Sequence, residues 1–335
     1  MKKKALIVSS ANPYPVVTSG CERLIVDYQS HLLSDYDVYF LATDPATWQP
    51  LSLFHQDELA ARAVTLDDLL SHSFAFAFFV GFKGNEFMRR LVSRVPAFCL
   101  TDTHPRDDLP DDLFKGIMSH RSTGPNDALL LLGAAYNSDT FFKQRGREEF
   151  VLCVARIHPD KNQLDLVRGY KERIYEKHGL PLYLVGGVGD AAYFDRVNEY
   201  IDRVSVLSTT DSEQPSAITA WKSPEEIAAL CNRARLFVMA SPKESFCMAL
   251  IEAMACGTTC VINGHYWGFD EADIRPNVFG HTTAKQGDIL DLIDEALSRD
   301  VRIDGSAWAR KFSLNEMRGK LLGFINERLA GDNRR

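Results

Sequence analysis

Short apolar runs alternate with amphipathic stretches from one end of the chain to the other. In the first half, Ala5–Ser10, Val38–Ala42, Phe74–Val80, Ala97–Thr101 and Leu129–Ala134 read as strands. Between them, Gly20–Leu33 reads as a helix and Asp139–Gln144 as a short one. The second half repeats the scheme. Phe150–Ala155 and Leu182–Val185 are strands, and Lys161–Glu176 is a helix. A buried-strand run at Leu236–Ala240 leads through a loop and a helix to a second apolar strand, Thr259–Ile262. The helix Ser223–Asn232 has a good start, with Ser223 as cap, Pro224 first and Glu226 three after the cap. Asp288–Arg299 and Ser313–Leu329 are the last long helices. This alternation predicts an α/β protein of parallel sheets with helices on both faces. The short polar stretch RGREE, residues 145–149, reads as the linker between two similar halves.

Composition narrows the picture. The chain has 335 residues, too many for one compact core and about right for two domains. A net charge of −7 argues against a nucleic-acid partner. No apolar run approaches the roughly 18 residues that suggest a membrane span. Lys2, Lys3 and Lys4 pass straight into a segment too short for a signal-peptide core, so a cytoplasmic location is expected. The seven cysteines are odd in number and form no C-x-x-C, which reads as reduced, packed thiols. The eight histidines other than His104 show no metal-ligand spacing. Asp107–Asp108 and Asp111–Asp112 sit in a polar loop with no ligand set around them, so no metal is expected.

The chemistry concentrates in Leu236–Ile262, LFVMASPKESFCMALIEAMACGTTCVI. Glu244 lies on the loop at a strand's carboxyl end, and Glu252 about two turns into the following helix. That spacing aims one acid, a row of helix N-terminal amides and a second acid at a single crevice. In a doubly wound sheet this is where a ligand binds, and the amides suit an anion. Glu252 stands in an otherwise apolar helix, MALIEAMA, where burial of its charge is costly without a role. Arg156 and Lys161, in ARIHPDK, follow the strand Phe150–Ala155 and face the same crevice. Two cations there suit a diphosphate. Ser19 and Gly20 offer a tight turn and free amides before the first helix. His104 follows the strand Ala97–Thr101, where a histidine can contact a substrate hydroxyl. The turn at Gly186 is a weak dinucleotide fingerprint.

Together, the E-x7-E segment and the Arg156/Lys161 pair resemble retaining GT-B glycosyltransferases of the family 4, group 1 type. The resemblance implies two Rossmann-like doubly wound domains facing across a cleft. Residues 1–146 would form the acceptor-side domain and 147–312 the donor-binding domain. Residues 313–335 would carry a last helix crossing back to the first. Arg156 and Lys161 would hold the donor diphosphate, with Glu244 near the donor sugar and Glu252 on the ribose hydroxyls. Backbone amides of Phe246, Cys247, Met248 and Ala249 would touch phosphate or sugar hydroxyls. His104 would meet the transferred sugar, and Gly186 would border the donor pocket. Ser19–Gly20 corresponds to a turn that in the family has two adjacent glycines, so position 19 departs from the pattern. The base would lie on Ser216–Trp221, where Trp221 either stacks on it or belongs to the core.

The implied reaction moves a hexose, with retention, from a nucleoside-diphosphate sugar to a hydroxyl of a saccharide or lipid-linked acceptor. UDP-glucose is the favoured donor and GDP-mannose the second. No metal or other cofactor would be needed, and a lipid-linked acceptor would bring the protein to the membrane face. Two rival readings use the same groups: a nucleotide-sugar epimerase, and a non-catalytic nucleotide-sugar-binding protein. A nicotinamide dehydrogenase is disfavoured, because the first strand lacks that fingerprint.

Overall fold

Alternate residues of the central strands serve opposite faces of two sheets, and that alternation organises the molecule. The structure, a computed structural model, describes residues 2–14, 20–55, 58–62, 64–101, 113–119, 127–128, 135–144, 150–201, 222–244, 246–266, 269–282 and 287–332. The expected strand Leu129–Ala134 and the linker at 145–149 lie outside these residues. The chain divides into two compact units. One combines Met1–Ala135 with Leu314–Arg335, and the other is Tyr136–Ser313.

The first unit is built on an eight-stranded sheet in the order β4-β3-β2-β1-β5-β6-β7-β8. Its strands are β1 (Lys4–Ser9), β2 (Asp37–Thr43), β3 (Pro50–His55), β4 (Glu58–Arg62), β5 (Phe76–Val80), β6 (Ala97–Thr101), β7 (Gly116–Ser119) and β8 (Asp127–Ala128). All neighbours are parallel except β2–β3 and β3–β4. Ala5, Ile7, Phe76, Phe78 and Phe98 face a core closed by α1 (Gly20–Asp27) and the terminal helix. Leu6, Val8, Ala77, Phe79, Ala97 and Cys99 face the opposite core, closed by α2 (Leu66–Ser71) and α3 (Glu86–Val92). Burial on both faces explains why these strands read as unbroken apolar runs. The edge strand β4 is mostly exposed, and its neighbour β3 is mostly half-buried, with only Leu53 fully buried. They carry little hydrophobic pattern, and the sequence reading passes over them.

The second unit has a five-stranded, all-parallel sheet, β10-β9-β11-β13-β15. Its strands are β9 (Phe150–Val154), β10 (Leu182–Val185), β11 (Ala234–Met239), β13 (Cys260–Asn263) and β15 (Phe279–His281). A separate parallel pair, β12 (Lys243–Glu244) with β14 (His265–Tyr266), stands beside it. Val151, Cys153, Leu236, Val238 and Val261 form one core. It is covered by α4 (Gln163–Val167), α6 (Ala191–Ile201) and α10 (Ile289–Ser298), with Ile174 just before α5 (Glu176–His178). The other face is served by α7 (Pro224–Arg233) and α8 (Met248–Ala255). Two short helices follow, α9 (Glu271–Ile274) and α11 (Ser306–Ala309). The start of α7 carries the full capping box between Ser223 and Glu226, with Pro224 leading.

Two helical expectations are corrected. The stretch Lys161–Glu176 is not one helix. A 3₁₀ turn (Pro159–Lys161) precedes α4, Gly169 breaks the chain at φ +78°, and a π-turn (Lys171–Tyr175) runs into α5. Leu164, Val167, Tyr170 and Ile174 are buried through the break, so the apolar spacing conceals it. Asp139–Gln144 is not a helix either. The Asn137 backbone and side chain close one turn at Asp139–Phe141. The chain then runs out along the second unit. There Gln144 N–H donates to Asn232 Oδ1 (2.7 Å), and Lys143 pairs with Asp304 (2.7 Å).

The terminal helix α12 (Leu314–Asp332) belongs to the first unit. Its Leu314, Met317, Leu321, Phe324 and Ile325 recur at helical spacing and join the core of β1, β5 and β6. Phe324 meets Phe98 edge-on at 5.8 Å and lies over Gly116, where an added Cβ would come within 2.3 Å of the ring. The two passages of the chain out of the second unit run side by side. Tyr136 bridges Ser313, and its N–H donates to the Phe312 carbonyl at 3.0 Å.

At the end of α1, burial raises the Asp27 carboxyl from 3.8 to about 6, against the opposing pull of Arg23 and His31. A folded-state value above the unfolded one means that the fold favours the protonated acid. The contribution is therefore complete below about pH 4 and is lost as pH rises through about 6. Asp27→Asn is expected to raise the unfolding free energy by about 3 kcal/mol at alkaline pH. The gain should fade toward pH 4 in denaturant titrations run across that range; a gain independent of pH would contradict the assignment.

Candidate functional site

All five strands of the second sheet point the same way, so their carboxyl ends share one edge, and the loops leaving β9, β10 and β11 meet there. Gly186, just after β10, has φ +155°, and an added Cβ would sit 2.0 Å from the Ala155 carbonyl oxygen. Only glycine lets the two loops approach so closely. They are then laced together: Ile157 N–H donates to Gly187 O (2.9 Å) and Gly189 N–H donates to Ile157 O (3.0 Å). Arg156 is exposed, and its aliphatic stem lies over Gly189, where a Cβ would approach Cδ to 2.5 Å. The Arg156 carbonyl accepts from the buried Gln163 amide at 2.8 Å, fixing the backbone while the guanidinium stays at the surface.

Lys161 ends the 3₁₀ turn. His158 Nδ1 caps that turn by accepting from Asp160 N–H at 3.3 Å. Asn162 takes a left-handed conformation, φ 56°, and its amide reaches both Asp165 (2.9 Å) and the Ala240 carbonyl just past β11 (3.3 Å). That bond ties the Lys161 loop to the strand that delivers Glu244. Lys161 Nζ donates to Glu244 Oε1 at 2.6 Å, with the two side chains 22% and 8% exposed. The residues are 83 positions apart in sequence.

Glu244 is held on β12, whose partner β14 places Tyr266 directly across from it. Gly264 makes that pairing fit, since a Cβ there would fall 2.2 Å from the Ser241 carbonyl oxygen. Tyr266 is 2% exposed, and its hydroxyl has no hydrogen-bond partner among the described residues. Burial pushes its phenol well above the usual range, and the charge of Glu244 adds to this. Burial also lifts the Cys153 thiol to about 12, with Lys161 pulling it down and Glu244 pushing it up. Cys153 is therefore a packed thiol under the ion pair rather than a nucleophile.

The helix α8 begins at Cys247, a non-glycine residue at φ +56°. This turn drops Phe246 into an aromatic cluster with Phe269 (4.8 Å) and Phe312 (5.3 Å). The amides of Met248 and Ala249, in the first turn, have no acceptor within the helix, as for any helix start. Glu252 is buried in the second turn, and its charge acts on the Cys231 thiol of α7.

The structure brings Lys161 and Glu244 into contact and sets Arg156 against the glycine turn of Gly186. Phe246, Cys247, Met248 and Ala249 form the entry to α8, with the Phe246 side chain turned into the core. Gly20 opens α1 of the first unit. Ser19, His104 and Trp221, with the Ser216–Trp221 segment, lie outside the described residues. Sequence reading missed Asn162, Gly264 and Tyr266. Their roles depend on chain segments far from them in sequence, and no local motif marks them. Among the described residues, no group of three or more His, Cys, Asp or Glu is placed to hold a metal ion, and no helix is long and apolar enough to cross a membrane.

Residues 137–299 match the family described as glycosyl transferases group 1. No curated protein matches the sequence. Among solved structures, the chain is similar to a sucrose-phosphate synthase from Thermosynechococcus elongatus, with a TM-score of 0.68 at 15% identity, covering 99% of this chain and 100% of that one. It is similar to a glycosyltransferase from Rickettsia africae, with a TM-score of 0.66 at 13% identity, covering 98% and 99%. It is also similar to Anabaena HepE in complex with UDP and glucose, with a TM-score of 0.64 at 13% identity, covering 97% and 100%. At such identities the likeness is one of fold.

The glycine at 186 gives a direct check on the loop packing. Gly186→Ala must both strain a glycine-only backbone and relieve a clash with Ala155, and should cost about 2–4 kcal/mol. Urea unfolding of the variant reads this; a loss below about 0.5 kcal/mol would show that the loops part easily.

Proposed function

Residues 137–299 belong to the group 1 glycosyl transferases and the chain has the GT-B fold, and on that premise we propose that the protein is a retaining hexosyltransferase. It takes its sugar from a nucleoside diphosphate, with UDP-glucose favoured and GDP-mannose second. It passes the sugar to a hydroxyl of a saccharide or lipid-linked acceptor, in polysaccharide or glycoconjugate synthesis. The observation that carries the reading is the meeting of Lys161 with Glu244 at the carboxyl edge of the sheet, beside the start of α8. A cation, an acid and helix-terminal amides within one unit suit a diphosphate bearing a polyhydroxylated group. The UDP and glucose named with the Anabaena structure agree with that chemistry.

In this reading Arg156 and Lys161 offset the diphosphate charge as it grows on leaving-group departure. The amides at Phe246–Ala249 take phosphate or sugar oxygens, and Glu244 accepts from the sugar hydroxyls. Glu252 holds the ribose. His104 meets the transferred sugar, Ser19–Gly20 approaches the donor from the first unit's sequence, and Trp221 lies beside the base. The departing phosphate takes the acceptor's proton, so the protein supplies position and charge stabilisation, with no metal or cofactor. The chemistry takes place on the cytoplasmic side, at the membrane face where the acceptor is lipid-linked.

A thermal-shift panel of nucleotide sugars, followed by donor hydrolysis and transfer assays on the hits, tests the reading. An epimer formed from donor alone would support an epimerase, and binding without turnover on any acceptor a sensor. Lys161→Ala should raise the donor Kd and lower turnover by about tenfold or more with the fold intact, and unchanged kinetics would remove its diphosphate role. Glu252→Ala should weaken binding of free UDP or GDP by about tenfold in calorimetry; equal affinity would refute the ribose contact.

A further inference from the structure

Lys161 carries one positive charge, and two anions have a claim on it. One is the diphosphate of the proposed donor. The other is Glu244, whose carboxylate accepts from Nζ at 2.6 Å. The ammonium has three N–H donors but can neutralise only one charge. A diphosphate that takes Lys161 leaves Glu244 as a nearly buried carboxylate beside another anion, an arrangement that is costly unless new donors reach it. One hydroxyl stands across the strand pair from it. Tyr266 is the cross-strand partner of Glu244 in a sheet where neighbouring strands lie about 4.8 Å apart. Its hydroxyl is buried and has no hydrogen-bond partner among the described residues. Buried hydroxyls are nearly always satisfied, so one left over on the cross-strand partner of a carboxylate already committed elsewhere needs an explanation. The ion pair needs one too. A pair this enclosed adds little stability over apolar side chains of similar size.

We propose that Glu244 determines specificity by competition: its carboxylate contests Lys161 with the diphosphate, and it is accommodated, once displaced, by the Tyr266 hydroxyl and by the hydroxyls of a donor sugar. A bare nucleoside diphosphate displaces the carboxylate and offers it nothing in return. A nucleotide sugar displaces it and supplies hydroxyl donors that repay the loss. The site thereby holds the sugar-bearing donor in preference to the spent nucleotide, which resembles it in every other contact. The idea deepens the donor-site reading and rests on it for the identity of the sugar. The competition for Lys161 stands on the side chains themselves.

The test uses the full chain and inorganic pyrophosphate as the probe. Glu244→Gln keeps the shape and removes the competing charge, so pyrophosphate and free UDP should bind about five- to tenfold tighter, while the preference for UDP-glucose over UDP shrinks. Tyr266→Phe removes the second station and should weaken pyrophosphate about threefold or more. In a Lys161→Met background, the change at position 244 should no longer matter. With no nucleotide present, acylation of Lys161 followed by peptide mass mapping should run faster in Glu244→Gln than in the parent. Unchanged or weaker pyrophosphate binding in Glu244→Gln overturns the competition, as do equal acylation rates. Wild-type affinity in Tyr266→Phe overturns the second station. If pyrophosphate and acylation behave as expected but no nucleotide sugar binds the parent protein, the transferase reading falls and the competition for Lys161 remains. Absence of pyrophosphate binding in both parent and variant overturns both.

Discussion

The contact between Lys161 and Glu244 is the interaction around which the second unit is arranged. It joins residues 83 positions apart at 2.6 Å, and neither side chain could be placed there alone without leaving a charge in a poorly solvated position. Everything near it serves to make that meeting possible. The all-parallel sheet brings the carboxyl ends of β9 and β11 to one edge. Asn162 bonds the lysine loop to the end of β11. Gly186 and Gly264 remove the Cβ atoms that would hold neighbouring loops apart, by 2.0 and 2.2 Å clashes respectively. The backbone is spent on proximity, and the side chains left at the edge are those with chemistry to perform.

The approach to α8 shows the same economy. A left-handed Cys247 turns the chain so that Phe246 goes inward just before the first turn of the helix. The inward aromatic does not stop at the helix. It packs on Phe269 and Phe312, which in turn meet Trp308 at 5.3 and 4.9 Å. Phe312 immediately precedes the point where the chain leaves the second unit, beside Tyr136. The site entry and the two chain passages are thus braced by one set of rings, all within the second unit. The thiols in this region play no part in that chemistry: Cys153 and Cys260 are buried, and burial raises both.

The first unit is completed by the last segment of the chain. Its core stays open along β1, β5 and β6 until Leu321, Phe324 and Ile325 arrive. A unit whose two parts bracket the other in sequence closes through contacts of long range, which raises the entropic cost of assembly. The terminal helix is accordingly a structural member, and the fit of Phe324 over Gly116 is specific to the side chains present.

Much of this was legible beforehand, for identifiable reasons. The central strands are buried on both faces, so β-branched and aromatic runs betray them in any context, and a parallel α/β fold follows. Glu244, Glu252, Arg156 and Lys161 stood out because charged residues flanking or interrupting apolar runs must answer to a ligand or to each other. Periodicity could not reveal the break at Gly169, because the buried face continues through it, nor β3 and β4, which bury few of their side chains. Local pattern alone assigns which residues belong to the core and which charges lie at strand ends. That Lys161 and Glu244 grip one another, that Tyr266 stands across the strand pair from Glu244, and that glycine is required at 116, 186 and 264 follows only from how the chain folds. Each depends on the distance between segments far apart along the chain, and no local pattern encodes a distance.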